Sequence, residues 1–213
     1  MICTRNDLAA LFPMLDAQAL DRLEQLPDMY QAWNAKVNLI SRKDVEHLML
    51  HHVVHSLALC LLAPLPPSAQ VLDFGTGGGF PGIPLAIAYP QVSFHLVDSI
   101  GKKVRIVEDI ARQLGLENVR ISQIRGETLT ERYTHVVARA VAPLDQLWRW
   151  AKPLLQRMTD ATAEGQGLYA YKGGAVRLEA APFGNRPRLW PLIDVLHDPY
   201  FDEKYLVYIP SVS

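Results

Sequence analysis

The stretch Val71-Leu72-Asp73-Phe74-Gly75-Thr76-Gly77-Gly78-Gly79-Phe80-Pro81-Gly82 constrains the fold more than any other part of the chain. A short apolar run bounded by a glycine cluster reads as a buried strand that turns sharply into a helix. Glycines there permit positive φ and clear side chains from a place where a ligand must approach the backbone. Two registers fit. Gly75-x-Gly77-x-Gly79 is one, and Gly77-x-Gly79-x-x-Gly82 is the dinucleotide fingerprint, with Asp98 about 20 residues further on. Asp73, at the strand end, can attract the ammonium or sulfonium of S-adenosylmethionine but would repel a pyrophosphate. Pro81 and Pro84 remove N–H donors where a pyrophosphate would want them. These residues favour S-adenosylmethionine over a nicotinamide cofactor. Asp98 suits the hydroxyls of an adenosine ribose in either case, or an N-cap.

The rest of the chain supplies a context for that loop. Apolar spacing predicts helices from Asp16 to Leu26, restarting at Pro27-Asp28 into Met29, Trp33 and Val37, and a third from Ser41 towards Leu62. Pro64, Pro66 and Pro67 end this part. Short strands at Val71–Phe74, Val92–Val97, Val119–Ile121, Val136–Val137 and Gly167–Tyr171 then alternate with helices near Gly82–Ala88, Lys102–Leu114 and Leu144–Leu155. That alternation implies right-handed crossovers and a largely parallel sheet. Extended runs at Leu189–Leu196 and Tyr205–Ile209 suit an antiparallel pair closing one edge. The expected architecture is α/β: a Rossmann-like core over 67–213, mostly parallel with an antiparallel C-terminal strand, with a helical extension over 1–66 packed on it.

Composition excludes several classes. With 49% hydrophobic residues the chain of 213 can bury a core, and its longest apolar stretch, Leu57 to Leu65, is too short to span a bilayer. Neither Cys3 nor Cys60 sits in a disulfide or zinc spacing, so reduced thiols and a cytoplasmic location are expected. The net charge of -1 conceals an asymmetry: residues 100–190 hold 15 basic and 9 acidic side chains, whereas both flanks are acidic. A basic middle suits a polyanionic partner.

Further motifs follow the glycine loop: Trp33-Asn34-Ala35-Lys36-Val37-Asn38-Leu39 before it, and Leu96-Val97-Asp98-Ser99-Ile100-Gly101-Lys102-Lys103, Arg125-Gly126-Glu127, Ala138-Arg139-Ala140-Val141-Ala142 and Tyr171-Lys172-Gly173 after it. Together with Gly-Phe-Pro-Gly-Ile-Pro-Leu at 79–85, and in this order, they resemble the RsmG family, also called glucose-inhibited division protein B. These are bacterial small-subunit ribosomal RNA guanine-N7 methyltransferases. The resemblance implies that Gly75 and Phe80 line the S-adenosylmethionine site, that Asp98 holds the ribose, and that Gly126 and Glu127 flank the adenine. It puts Arg139 at the mouth shared by cofactor and active site. The implied substrate is guanine 527 of 16S rRNA, naked or within a small subunit or assembly intermediate, and a monomer is expected.

The residues agree with that chemistry. Guanine N7 carries a free lone pair, so attack on a methyl group needs no general base. The Asp/Asn-Pro-Pro-aromatic motif of exocyclic-amine methylation is missing at Arg139-Ala140-Val141-Ala142-Pro143, and neither cysteine lies near a strand end. Arg139 can meet guanine O6, a phosphate or the cofactor carboxylate. Charge places the RNA near Lys102, Lys103, Arg105 and Lys172. The chain departs from the family where Arg-His-x-x-Asp-Ser-Leu is usual, having His51-His52-Val53-Val54-His55-Ser56-Leu57. No metal is expected there, since only His51 and His55 share a helical face and no carboxylate partner is evident. A small-molecule methyltransferase, a nicotinamide-dependent oxidoreductase and a non-catalytic binding protein are the competing readings.

Overall fold

A computed structural model describes residues 4–37, 39, 42–156 and 165–211. Cys3, Asn38 and Ser41 lie outside the described residues. The helices are α1 (Arg5–Leu11), α2 (Ala17–Asn34), α3 (Arg42–Val45), α4 (His55–Leu62), α5 (Gly82–Ala88), α6 (Gly101–Gln113), α7 (Leu144–Ala151), α8 (Val176–Ala180) and α9 (Ile193–Leu196). The strands are β1 (Gln70–Phe74), β2 (Ser93–Asp98), β3 (Val119–Gln123), β4 (His135–Arg139), β5 (Gly167–Gly173), β6 (Arg188–Pro191) and β7 (Lys204–Pro210).

The strands form one sheet in the order β3-β2-β1-β4-β5-β7-β6. Strands β1 to β5 are parallel, while β7 runs antiparallel to both β5 and β6. Alternation along the strands splits the core into two layers. Val71, Leu96, Val137 and Tyr169 point to the face covered by α1, α2, α4, α5 and α6. Leu72, Val97, Val136 and Leu168 point to the face covered by α7 and α8. The N-terminal helices therefore bury their apolar side chains in the same cluster as one face of the sheet.

Four local readings of the sequence are corrected. Helix α1 precedes Asp16; Thr4 and Asp7 form a reciprocal capping box that starts it. Pro27 does not restart the chain but lies inside α2. A proline inside a helix costs about 3 kcal/mol. Ala19, Leu20, Leu23, Leu26 and Tyr30, buried on one continuous stripe, offset it. The third helix is interrupted: a π-helical turn, Met49–Val54, separates α3 from α4. Finally, the run from Leu189 leaves the sheet at Pro191, which ends the ladder, and Leu192 and Leu196 are buried one helical turn apart instead.

Side-chain hydrogen bonds tie α2 to the rest of the fold. Trp33 Nε1 donates to Asp109 Oδ2 on α6 at 3.0 Å, and the wholly buried Tyr30 donates its hydroxyl to Gly78 O in the glycine loop at 2.6 Å. Replacing Tyr30 with Phe leaves that carbonyl without its donor. We expect the unfolding free energy in urea to fall by about 1 kcal/mol with an unchanged slope. An unchanged midpoint would mean that the bond contributes nothing.

Candidate active site

The loop after β1 is held from beneath. Asp73 is wholly buried, and its Oδ2 accepts hydrogen bonds from Thr76 Oγ1 at 2.6 Å and Gly82 N at 2.8 Å, joining the start of the loop to the start of α5. The carboxylate therefore faces the protein, which corrects its reading as an attractor of a cationic ligand. Burial pushes its pKa up to about 7, against the opposing effect of those two hydrogen bonds. Gly75, Gly77 and Gly79 have φ of 73, 57 and 93°, so the first register is the one that needs glycine. Gly82 serves packing: a Cβ there would lie 2.5 Å from Asp73 Oδ2 and 2.6 Å from Leu96.

The start of α5 has no N–H to offer an anion. Gly82 N donates to Asp73, Ile83 N donates to Gly79 O, and Pro84 has none. A pyrophosphate thus loses the partners that the dinucleotide fingerprint would give it.

Above the loop lies a cavity of about 440 Å³ lined by Gly75, Thr76, Gly77, Gly78, Phe80, Asp98, Ser99, Ile100, Lys103 and Arg139, among others. Asp98 ends β2 on its wall. One carboxylate oxygen accepts from Gly77 N at 2.9 Å and the other from Ile100 N at 2.8 Å. Each oxygen keeps a lone pair for a hydroxyl. Of the other sequence candidates, Gly79 turns inward, where a Cβ would meet Ile83 at 2.8 Å and the Tyr30 hydroxyl at 3.0 Å. Gly126 packs against the Phe74 ring, which a Cβ would approach to 2.4 Å, and Glu127 lies 3.7 Å from Arg125. Gly79, Gly126 and Glu127 do not line this cavity.

Arg139, at the end of β4, forms the far wall. Its guanidinium donates to His51 O at 3.2 Å and His52 Nδ1 at 2.6 Å, and lies 5.3 Å from the centre of the Phe80 ring. Because arginine only donates, His52 Nδ1 must accept, and the ring proton sits on Nε2. Burial lowers the pKa of His52 to about 3 and that of His55 well below the usual histidine range. The next residue, Ala140, has φ of 56°, a strained conformation for alanine.

Arg139, His52, Ala140 and Asp44 also line a second cavity of about 370 Å³, together with His51, His55, Tyr171, Tyr200 and Lys204. Sequence reasoning missed Tyr200, Lys204 and Asp44. It also gave His51 and His55 alone a shared face, whereas the wide π turn brings His52 to the same cavity. His51 does have a carboxylate partner, its Nδ1 lying 3.0 Å from Asp44 Oδ1. His51 stacks on Tyr200 at 3.7 Å, and Lys204 Nζ sits 3.8 Å from that ring's centre on the chain's C-terminal side. Among the described residues no three His, Cys, Asp or Glu side chains are placed to hold a metal.

The expected RNA-facing cations divide. Lys102 and Arg105 are exposed on α6, and Lys103 is half-buried at the first cavity. Lys172 lines the second cavity, and its Nζ donates to Ala142 O at 2.9 Å and lies 2.7 Å from Glu179 Oε2.

A seven-stranded sheet with this order, carrying a glycine loop after β1 and an acid at the end of β2, defines a class I S-adenosylmethionine-dependent methyltransferase. Solved structures share the fold: the fibrillarin/Nop5p complex (TM-score 0.55, 11% identity, 72% of this chain and 79% of that one) and a SAM-dependent methyltransferase from Aquifex aeolicus (TM-score 0.51, 15% identity, 71% and 88%). Within that class, the sequence model described as "rRNA small subunit methyltransferase G" matches residues 19–183, and the chain belongs to this family. A protein named ribosomal RNA small subunit methyltransferase G from Porphyromonas gingivalis is 45% identical over 93% of this chain and 90% of its own length. One of the same name from Bacteroides thetaiotaomicron is 42% identical over 92% and 95%. Among the described residues no helix is long and apolar enough to cross a membrane.

The raised pKa of Asp73 has a consequence for stability. The folded state holds this proton more tightly than the unfolded chain, so stability falls as pH rises from about 4 to about 7 and then levels off. Asp73→Asn should remove that fall. Unfolding free energies of both proteins across this window test it, and parallel curves would refute the assignment.

Proposed function

We propose that this chain transfers the methyl group of S-adenosylmethionine to N7 of guanine 527 in 16S rRNA. Family membership over most of the chain, joined to a cleft whose chemistry suits that cofactor, carries the reading. The fit rests on the protein's own groups. Asp98 has acceptor capacity for ribose hydroxyls, the bare backbone of Gly75 and Gly77 permits close approach, and Phe80 offers an apolar wall. Arg139 has N–H groups left for a carboxylate. Gly79 shapes the loop, Asp73 ties it down, and Gly126 and Glu127, at the end of the third parallel strand, are read as the adenine end of the site.

When bound, the cofactor supplies an activated methyl on a sulfonium. What remains for the protein is alignment and exclusion of water. Guanine N7 needs no proton removed. At the seam between the cavities stand the Arg139 cation, the neutral imidazole of His52 and the Asp44 carboxylate, whose Oδ1 lies 3.0 Å from His51 Nδ1. We read Lys102, Lys103 and Arg105 as phosphate contacts beside the cleft. The protein is read as a cytoplasmic monomer acting on 16S rRNA in a small subunit or an assembly intermediate.

Titration calorimetry tests the cofactor: S-adenosylhomocysteine should bind and NADH should not. Asp98→Ala should weaken that binding by about 10- to 100-fold through loss of charge-assisted hydrogen bonds. Unchanged affinity would leave Asp98 as a loop tie only. Reduction and aniline cleavage of small-subunit rRNA, from cells lacking and expressing the protein, tests the substrate. If expression restores no N7-methylguanine, the substrate assignment fails.

Charge reversal at Lys102 and Arg105 together, both exposed on α6 and outside the first cavity, should weaken rRNA binding and flatten its salt dependence, by a log-log slope of about 0.7 per lost contact on single strands. Affinity for S-adenosylhomocysteine should change little. An unaltered salt slope would place the RNA elsewhere.

A further inference from the structure

The second cavity lies beyond the glycine loop and Asp98, yet meets the first at Arg139, His52, Ala140 and Asp44. Its walls are aromatic and planar, from His51, Tyr171 and Tyr200, and its inner face is a guanidinium. Among the described residues no carboxylate comes within ion-pair distance of Arg139, and two partners, His51 O and His52 Nδ1, take only part of its donor capacity. Both partners come from the π-helical turn, in which the ring of His52 accepts rather than donates.

We propose that the second cavity receives the guanine to be methylated, that Arg139 selects it by donating to O6, and that His52 is the positioning residue that aims the guanidinium. The proposal rests on the methyltransferase reading above and deepens it. Guanine presents O6 and N7 side by side as acceptors, whereas adenine presents an amino donor where O6 would be. Arginine can only donate, so adenine would oppose N–H to N–H there. A donor on O6 leaves the N7 lone pair free.

In the transfer N7 gives that pair to the methyl carbon, and the sulfur–carbon pair returns to sulfur. The positive charge passes from sulfonium to purine, and no proton moves. Neutral imidazoles at His52 and His55 suit this route, because they add no charge to a space that must accept a sulfonium. Lys204, over the Tyr200 ring, stands at the same cavity to meet the nucleotide's phosphate.

The test uses the full-length protein and 16S rRNA assembled into small subunits with the target guanine, or 2-aminopurine in its place. 2-Aminopurine keeps N7 but lacks O6. Wild-type protein should methylate guanine about 10- to 100-fold faster, the worth of one hydrogen bond to a charged group. In Arg139→Lys and His52→Leu the guanine preference should shrink towards unity, and His52→Asn, which restores an acceptor, should recover it. Affinity for S-adenosylhomocysteine, measured in parallel, separates loss of selection from loss of cofactor. Equal wild-type rates on both purines would overturn the proposal while leaving the methyltransferase reading intact. A preference unchanged in both Arg139→Lys and His52→Leu would overturn it as well. Absence of transfer to guanine by wild-type protein would instead sink the parent reading.

Discussion

The glycine loop depends on one buried carboxylate. Asp73 reaches from β1 to Thr76 and to the first N–H of α5, so a single oxygen sets the distance between strand end and helix start. Asp98 then ties the middle of the loop through Gly77 N from the neighbouring strand. With both ends and the centre fixed, the positive φ angles of Gly75, Gly77 and Gly79 follow as the backbone that closes the circuit. The cost is a carboxyl group held in a place where its charge is disfavoured. A loop this firmly anchored presents its shape before any ligand arrives, which reduces the ordering cost of binding.

Much of this was legible in the residues. The strand–glycine–helix grammar, the parallel sheet and its antiparallel closure appear as apolar periodicity punctuated by glycine and proline, and α5 falls on Gly82–Ala88 as expected. Asp73 was visible as important, but not the direction it faces, because a sequence does not say whether an acid at a strand end turns up to a ligand or down to a helix. The pairing of Lys172 with Glu179 on α8 was equally invisible, because only folding brings the two together. Pro27 was read as a break because local propensity ignores the tertiary burial that holds α2 together.

The second cavity was the least legible part. Asp44, His51, Arg139, Tyr200 and Lys204 come from four separated stretches, and no spacing rule connects them. The π turn that gathers the histidines has no composition signature here, since Met49–Val54 reads as ordinary helix. His52 and His55, held neutral by burial, line this cavity with the Arg139 cation, while His51 pairs with Asp44.

The bond from Tyr30 to Gly78 O carries a different kind of consequence. It reaches across 48 residues, from a helix made early in synthesis to a loop made later. The sheet strands can pair without it, but the outer rim of the loop is completed only when α2 has docked. A ligand that favours the completed rim stabilises the docking of α2 by mass action, so occupancy of the loop and seating of the N-terminal helix are thermodynamically linked.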